Sequence, residues 1–273
     1  MPMRRPATLN LALALLLAAL PARAADTRLV LVGGGDRPPE AMARFVEWAG
    51  GSSARVLVVP WASGEPRESC DALLAEIHAH RPAEAACAPF ATLDAQGRAA
   101  PLEPEKVAAV RAALARATGV FFGGGDQARV MDALADPALL QAVRRRHAEG
   151  VVFGGTSAGT AVMSARMITG DGDFTVIDGT KVVVRPGLGL LPGSILDQHF
   201  VKRSRQNRLF GLVLRHPEER GVGIDEDTAL LVTNGREAEV VGRGPVMLVD
   251  AEGKDRLAIR LLHPGQSLDL AAR

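Results

Sequence analysis

The chain has 273 residues, and its 32 Lys and Arg against 31 Asp and Glu leave a net charge of +1, so nothing electrostatic recruits nucleic acid or an acidic membrane surface. Its two cysteines, Cys70 and Cys87, sit in neither a Cys-x-x-Cys nor a zinc-ligand spacing, which gives no ground to expect a metal, a redox centre or another cofactor. No Pro/Ser-rich linker or internal repeat divides the sequence.

Residues 1–24 read as a signal peptide: Arg4 and Arg5 precede an apolar core from Leu11 to Leu20, and Ala22-Arg23-Ala24 offers small residues for cleavage. The core is shorter than the roughly 20 residues a spanning helix needs. An exported mature domain, residues 25–273, is therefore expected, periplasmic or extracellular and free of the membrane once cleaved. Oxidising conditions there permit a Cys70–Cys87 bridge.

Strands are predicted at Leu29–Val32, Arg55–Val59, Gly119–Phe122 and Val151–Phe153, where short β-branched or aromatic runs occur. Between them, Pro39–Trp48, Arg67–His80, Glu103–Ala117 and Pro137–Glu149 are rich in helix formers. This alternation predicts a single α/β domain with a mostly parallel central sheet flanked by helices. Beyond Gly170, Thr175–Ile177 and Lys181–Val184 suggest a hairpin across Asp178-Gly179. Additional C-terminal strands are expected at Gly221–Ile224, Ala229–Val232, Ala238–Val241, Val246–Val249 and Leu257–Leu262, as an antiparallel or mixed edge of the sheet.

Three strands run into glycines, Gly33-Gly34-Gly35, Gly123-Gly124-Gly125 and Gly154-Gly155, and in a parallel sheet such turns share the carboxyl edge where ligands bind. None reads as a dinucleotide fingerprint. Close backbone approach to a substrate carbonyl is the alternative use, with Gly124 or Gly125 and Ala158 as oxyanion donors. The last turn continues as Gly155-x-Ser157-x-Gly159, the pattern of a nucleophile elbow.

A serine nucleophile needs a base, and a base needs an orienting acid. His78, His80, His147 and His216 fall in helical, charged surroundings and His263 lies near the tail, whereas His199 follows a Pro/Gly loop. The acid falls among Asp225, Glu226 and Asp227, and pattern does not choose between them. Arg203, Arg205 and Arg208 adjoin Asp197 and Gln198, a set suited to a pocket in which arginines take a carboxylate and Asp197 a basic group.

Gly-Gly-Thr-Ser157-Ala-Gly, Phe-Gly-Gly-Gly-Asp126-Gln127 and above all Asp197-Gln198-His199-Phe-x-x-Arg203-x-Arg205-x-x-Arg208 resemble the cyanophycinases, serine exopeptidases related to aspartyl dipeptidases. The similarity spans roughly residues 28 to 250. It implies a class I glutamine amidotransferase-like fold and Ser157 as nucleophile, His199 as base and Glu226 as acid. Gln127, Asp197, Gln198, Arg203, Arg205 and Arg208 would line the pocket. It further implies a dimer and hydrolysis of cyanophycin, arginine-substituted poly-aspartate, to β-Asp-Arg, with other aspartyl peptides as the alternative substrates. A binding protein that kept the site without catalysis is the reading from another class. Thr160 departs from the small residue expected after the elbow.

Overall fold

The computed structural model describes residues 25–272, so the leader expected at 1–24 lies outside the described residues. The parallel core is made of β1 (Arg28–Val32), β2 (Arg55–Val59), β3 (Glu84–Cys87), β4 (Gly119–Phe122) and β5 (Val152–Thr156), in the spatial order β1-β5-β4-β2-β3. All four strands expected in the N-terminal half form. β3 escapes the sequence reading because Glu-Ala-Ala-Cys carries no β-branched or aromatic residue.

Helices α1 (Pro39–Trp48) and α2 (Pro66–Ala79) cover one face, with Met42, Phe45, Leu73 and Ile77 packed on Val30, Val56, Val58 and Phe121. On the other face lie α3 (Pro104–Arg116), α4 (Gln127–Ala133), α5 (Pro137–Ala148) and the single-turn α6 (Ala158–Ala161). Alternate residues of each strand thus feed two separate apolar layers, as the period of two demands. Proline in the first turn sets the start of α1, α2, α3 and α5, where its missing N–H costs no hydrogen bond.

The C-terminal half departs from expectation in three places. First, Thr175–Ile177 is not a strand: Asp173 accepts from the Thr175 amide at 3.0 Å and holds a turn. The true hairpin pairs β6 (Arg166–Gly172) with β7 (Val182–Pro186), because the buried Met167 and Ile168 supply the apolar face that the exposed Val176 and Ile177 do not. Second, the C-terminal strands do not form one edge. β10 (Thr228–Thr233), β11 (Glu237–Gly242) and β14 (Ser267–Asp269) extend the central sheet antiparallel from β1. A second sheet, in the order β13-β12-β9-β8, is built from β8 (Ser194–Gln198), β9 (Arg220–Ile224), β12 (Val246–Ala251) and β13 (Leu257–Leu262). Helix α7 (Gln206–Arg215) packs across it through Leu209, Leu212 and Val213. Third, Gly154 and Gly155 lie inside β5, which runs on to Thr156.

Cys70 and Cys87 form a disulfide that ties α2 to β3 at the margin of the sheet. The bridge closes a loop with a sequence separation of 17, which the chain-entropy model values at roughly 3 kcal/mol. Reduction is expected to lower Tm by about 6–12 °C, given roughly 2–4 °C per kcal/mol for a domain of this size, in a thermal melt with and without reductant. An unchanged Tm would show that α2 does not depend on the bridge.

Candidate active site

The carboxyl ends of β1, β5 and β4 adjoin, and the turns after them form one crevice. Ser157 leaves β5 at φ 54° and ψ −113°, a backbone region that non-glycine residues occupy only when their surroundings enforce it, at a cost of order 1–3 kcal/mol. Its amide is tied to the Val32 carbonyl at 3.0 Å. Beneath it the chain turns so tightly that a β-carbon on Gly155 would stand 2.3 Å from the Gly159 backbone, and one on Gly159 would stand 2.2 Å from the Phe122 carbonyl oxygen. The two elbow glycines are therefore a steric requirement. Thr160 is fully buried, and its hydroxyl donates to the Val32 carbonyl at 2.7 Å and lies 2.9 Å from the Gly155 carbonyl. The departure at Thr160 thus braces the elbow through the carbonyl that also holds Ser157.

His199 directly follows β8, and its own amide donates to the Gly33 carbonyl at 2.8 Å, which draws the second sheet against the β1 turn. Its ring packs over Gly34, where a β-carbon would lie 2.2 Å from the imidazole. Nε2 stands 2.8 Å from Ser157 Oγ, and Nδ1 stands 2.5 Å from Glu226 Oε1. A carboxylate takes only the Nδ1–H tautomer, so Nε2 is left as the acceptor for the serine proton.

The structure distinguishes the three neighbouring acids by what each holds. Asp225 accepts the backbone amides of Val201 and Lys202 at 3.2 and 3.0 Å, and Asp227 accepts that of Asp36 at 2.7 Å. Only Glu226 reaches the imidazole, with the Arg203 guanidinium 3.7 Å from the same oxygen.

The His199 pKa is held below its ordinary 6.5, first by burial; the Glu226 hydrogen bond raises it, while the charges of Arg203 and Arg205 lower it. A base must be neutral to accept a proton, so the acid limb of kcat/KM is expected to have its midpoint below pH 6.5. Arg203→Gln should move that midpoint upward, because it removes a charge that opposes the imidazolium. A pH–rate profile of the two proteins checks both; a midpoint above 6.5 in the parent would contradict the assignment.

The amides around Ser157 are unequal. Those of Gly123 and Asp126 are committed to the carbonyls of Val59 at 3.0 Å and Ala62 at 2.8 Å, while among the described residues those of Gly124, Gly125 and Ala158 meet no acceptor. A β-carbon on Gly124 would stand 3.5 Å from that of Ser157, which sets Gly124 beside that serine. Gly125 is turned to φ +136° and pressed against the Ala62 carbonyl.

Beside Ser157 opens a pocket of about 190 Å³ lined by Gln127, Gln198, Arg203, Arg205 and Arg208 together with Asp126, Thr169 and Asp171. Five of the six pocket residues expected from sequence are thus brought together. Asp197 is not among them. It is buried beneath the floor, accepting Arg208 Nε at 2.7 Å, Arg208 Nη2 and the Gln198 amide at 2.8 Å, so the expectation that it takes a basic substrate group is corrected. Both of its oxygens already accept hydrogen bonds from within the chain. Asp126 and Asp171 are the carboxylates that line the cavity.

Arg205 donates to Gln198 Oε1 at 2.6 Å and to the Gln198 carbonyl at 2.8 Å, and its pKa is pushed down to about 10, first by burial and then by the Arg208 charge. It remains a cation at neutral pH. Gln127 is oriented by its amide nitrogen, which donates to the Ile168 carbonyl at 2.6 Å.

Comparison with known proteins places this arrangement. The model of peptidase family S51 matches residues 29–240, which take in both sides of the crevice and all three members of the triad geometry. The chain belongs to peptidase family S51. Curated relatives of this S51 peptidase include the cyanophycinase of Trichormus variabilis, 35% identical over 232 residues, or 84% of this chain and 75% of the relative. The cyanophycinase of Geminocystis herdmanii is 35% identical over 227 residues, 82% of this chain and 80% of the relative. Among solved structures, a peptidase from an acI-B1 actinobacterium shares the fold with TM-score 0.65 at 21% identity, covering 89% of this chain and 96% of that one. A putative peptidase E from Listeria monocytogenes gives 0.52 at 13% identity, covering 87% and 100%.

Proposed function

We propose that this S51 peptidase is an exported serine exopeptidase that hydrolyses cyanophycin to β-Asp-Arg through an acyl-enzyme on Ser157. The observation that carries the reading is the unbroken chain from Ser157 Oγ to His199 Nε2 at 2.8 Å and from His199 Nδ1 to Glu226 at 2.5 Å, on a strained elbow at a sheet edge. In the first half-reaction His199 takes the hydroxyl proton as Ser157 attacks the scissile carbonyl, and Glu226 stabilises the imidazolium. The amides of Gly124 and Ala158 face the oxyanion that develops. His199 then returns the proton to the leaving amine, and a water repeats the sequence to release the acyl product.

The pocket and the relatives named cyanophycinase support this choice of substrate. Each unit of arginine-substituted poly-aspartate presents a carboxylate and a guanidinium, and the cavity offers Arg203, Arg205 and Arg208 for the former and Asp126 and Asp171 for the latter. The Cys70–Cys87 bridge supports export, since such bonds persist in oxidising compartments.

Insoluble cyanophycin incubated with the mature protein should clear with release of β-Asp-Arg, read by mass spectrometry. Absence of clearing, with turnover of α-linked aspartyl dipeptides instead, would overturn the substrate assignment in favour of an aspartyl dipeptidase.

A further inference from the structure

Ser157 lines two cavities. The second, of about 300 Å³, is lined by Gly34, Arg37, Ser69, Leu73, Gly124 and His199 and shares only Ser157 with the arginine-lined pocket. The imidazole is the decisive member of this lining: it borders this cavity and not the arginine-lined one. Collapse of a tetrahedral intermediate breaks the C–N bond, and the nitrogen must take its proton from the imidazolium Nε2–H. The departing amine therefore lies on the side where the imidazole is exposed, and the acyl group stays over Ser157 in the arginine-lined pocket.

We infer that this second cavity is the leaving-group subsite, and that Arg37 selects leaving amines that carry a carboxylate. The wall is built by one stripe of α2, on which Ser69, Ala72, Leu73 and Glu76 recur at helical spacing. Glu76 accepts Arg37 Nε at 2.6 Å and Arg37 Nη2 on its other oxygen, a two-point grip that fixes the plane of the guanidinium. Nη1 donates to nothing among the described residues, and the side chain keeps only 20% of its exposure. A guanidinium held along one edge presents its remaining N–H groups in a set direction, suited to a carboxylate.

The disulfide anchors the same helix to β3 from Cys70, next to Ser69, so the wall that carries the grip is fixed from behind. Arg37 itself sits two residues after Gly35, in the turn that follows β1 beside His199. One end of the device is thus set in the turn beside His199, and the other is on the helix that the disulfide anchors to β3.

This rests on the aspartyl-peptide reading above, in which every leaving unit is an aspartyl amine bearing a free carboxylate. The test uses two peptides with the same β-arginyl-aspartyl acyl unit, one with a leaving unit ending in a carboxylate and one ending in the carboxamide. The parent should favour the carboxylate at least tenfold in kcat/KM, carried mainly in KM. In Arg37→Gln the ratio should fall to near one, and in Glu76→Gln, which keeps the charge of Arg37 but loosens it, to an intermediate value. A ratio unchanged in both variants overturns the assignment of Arg37 and leaves the peptidase reading intact. A parent that cleaves neither peptide overturns the aspartyl-peptide reading itself.

Discussion

Ser157→Ala is expected to lower kcat by a factor of about 10⁴–10⁶ while leaving the thermal melt within a few degrees of the parent, the scale seen when a serine nucleophile is removed. Two features make this variant informative. The hydroxyl gives up only two side-chain contacts, the 2.8 Å bond to His199 and a long 3.4 Å approach to Gln198 Oε1. The strained backbone of the elbow is held by Val32, Gly155, Gly159 and Thr160 rather than by the serine side chain. Turnover and melting of the purified variant separate chemistry from folding. Appreciable hydrolysis by Ser157→Ala would exclude the acyl-enzyme.

Arg208→Met carries the largest expected loss of stability. Arg208 is 2% exposed and lies on Asp197, which is 1% exposed, so removing the guanidinium leaves a carboxylate uncompensated in the interior. The remaining partners, the Gln198 amide at 2.8 Å and Arg205 at 4.0 Å, offset only part of its charge. Breaking such a pair costs about 3–5 kcal/mol, or roughly 10–15 °C of Tm at this chain length. The loss should extend to activity, because Arg208 also lines the pocket and stacks over Phe174 at 4.9 Å. Arg208→Met with Asp197→Leu should recover most of the melting temperature and none of the turnover, since an apolar pair can replace a buried ion pair in packing but not in carboxylate recognition. A single variant as stable as the parent would mean that Asp197 is neutral or reaches solvent.

The legibility of this fold in its sequence follows local physics. The five parallel strands and four long helices are set by short-range patterns, and all but β3 were readable; Glu84–Cys87 was missed because its pairing comes from β2 and not from its own residues. The second sheet is not separable from the first in sequence, since short apolar runs such as those of β12 and β13 announce a strand without saying which neighbour it pairs with. β8 carries no strand expectation, because Asp197 and Gln198 are polar, although both are buried. Helix α7 carries no expectation of its own, and of the three clustered arginines only Arg208 lies within it. Its apolar positions, Leu209, Leu212 and Val213, were the available signal for the face that packs on the second sheet.

The site divides the same way. Ser157 was given by the glycines that surround it, and His199 by its departure from helical surroundings. The choice of Glu226 over Asp225 and Asp227 does not come from local pattern, because it depends on which side chain reaches the imidazole and which are taken up by the distant amides of Val201, Lys202 and Asp36. A carboxylate beside three arginines suggests substrate recognition by Asp197, whereas the chain folds one of those arginines, 11 positions on, back onto it. Arg37 and Glu76, far apart in sequence and in no motif, became visible only once α2 and the β1 turn met.

The most direct test of the triad is labelling of the mature protein with a fluorophosphonate, followed by peptide mapping and assay of the labelled enzyme. One adduct per chain, on Ser157, with loss of peptide hydrolysis in proportion to labelling and strongly slowed labelling in Glu226→Gln, is the predicted result. Full labelling elsewhere, or labelling of Ser157 without loss of hydrolysis, would contradict catalysis by Ser157, His199 and Glu226.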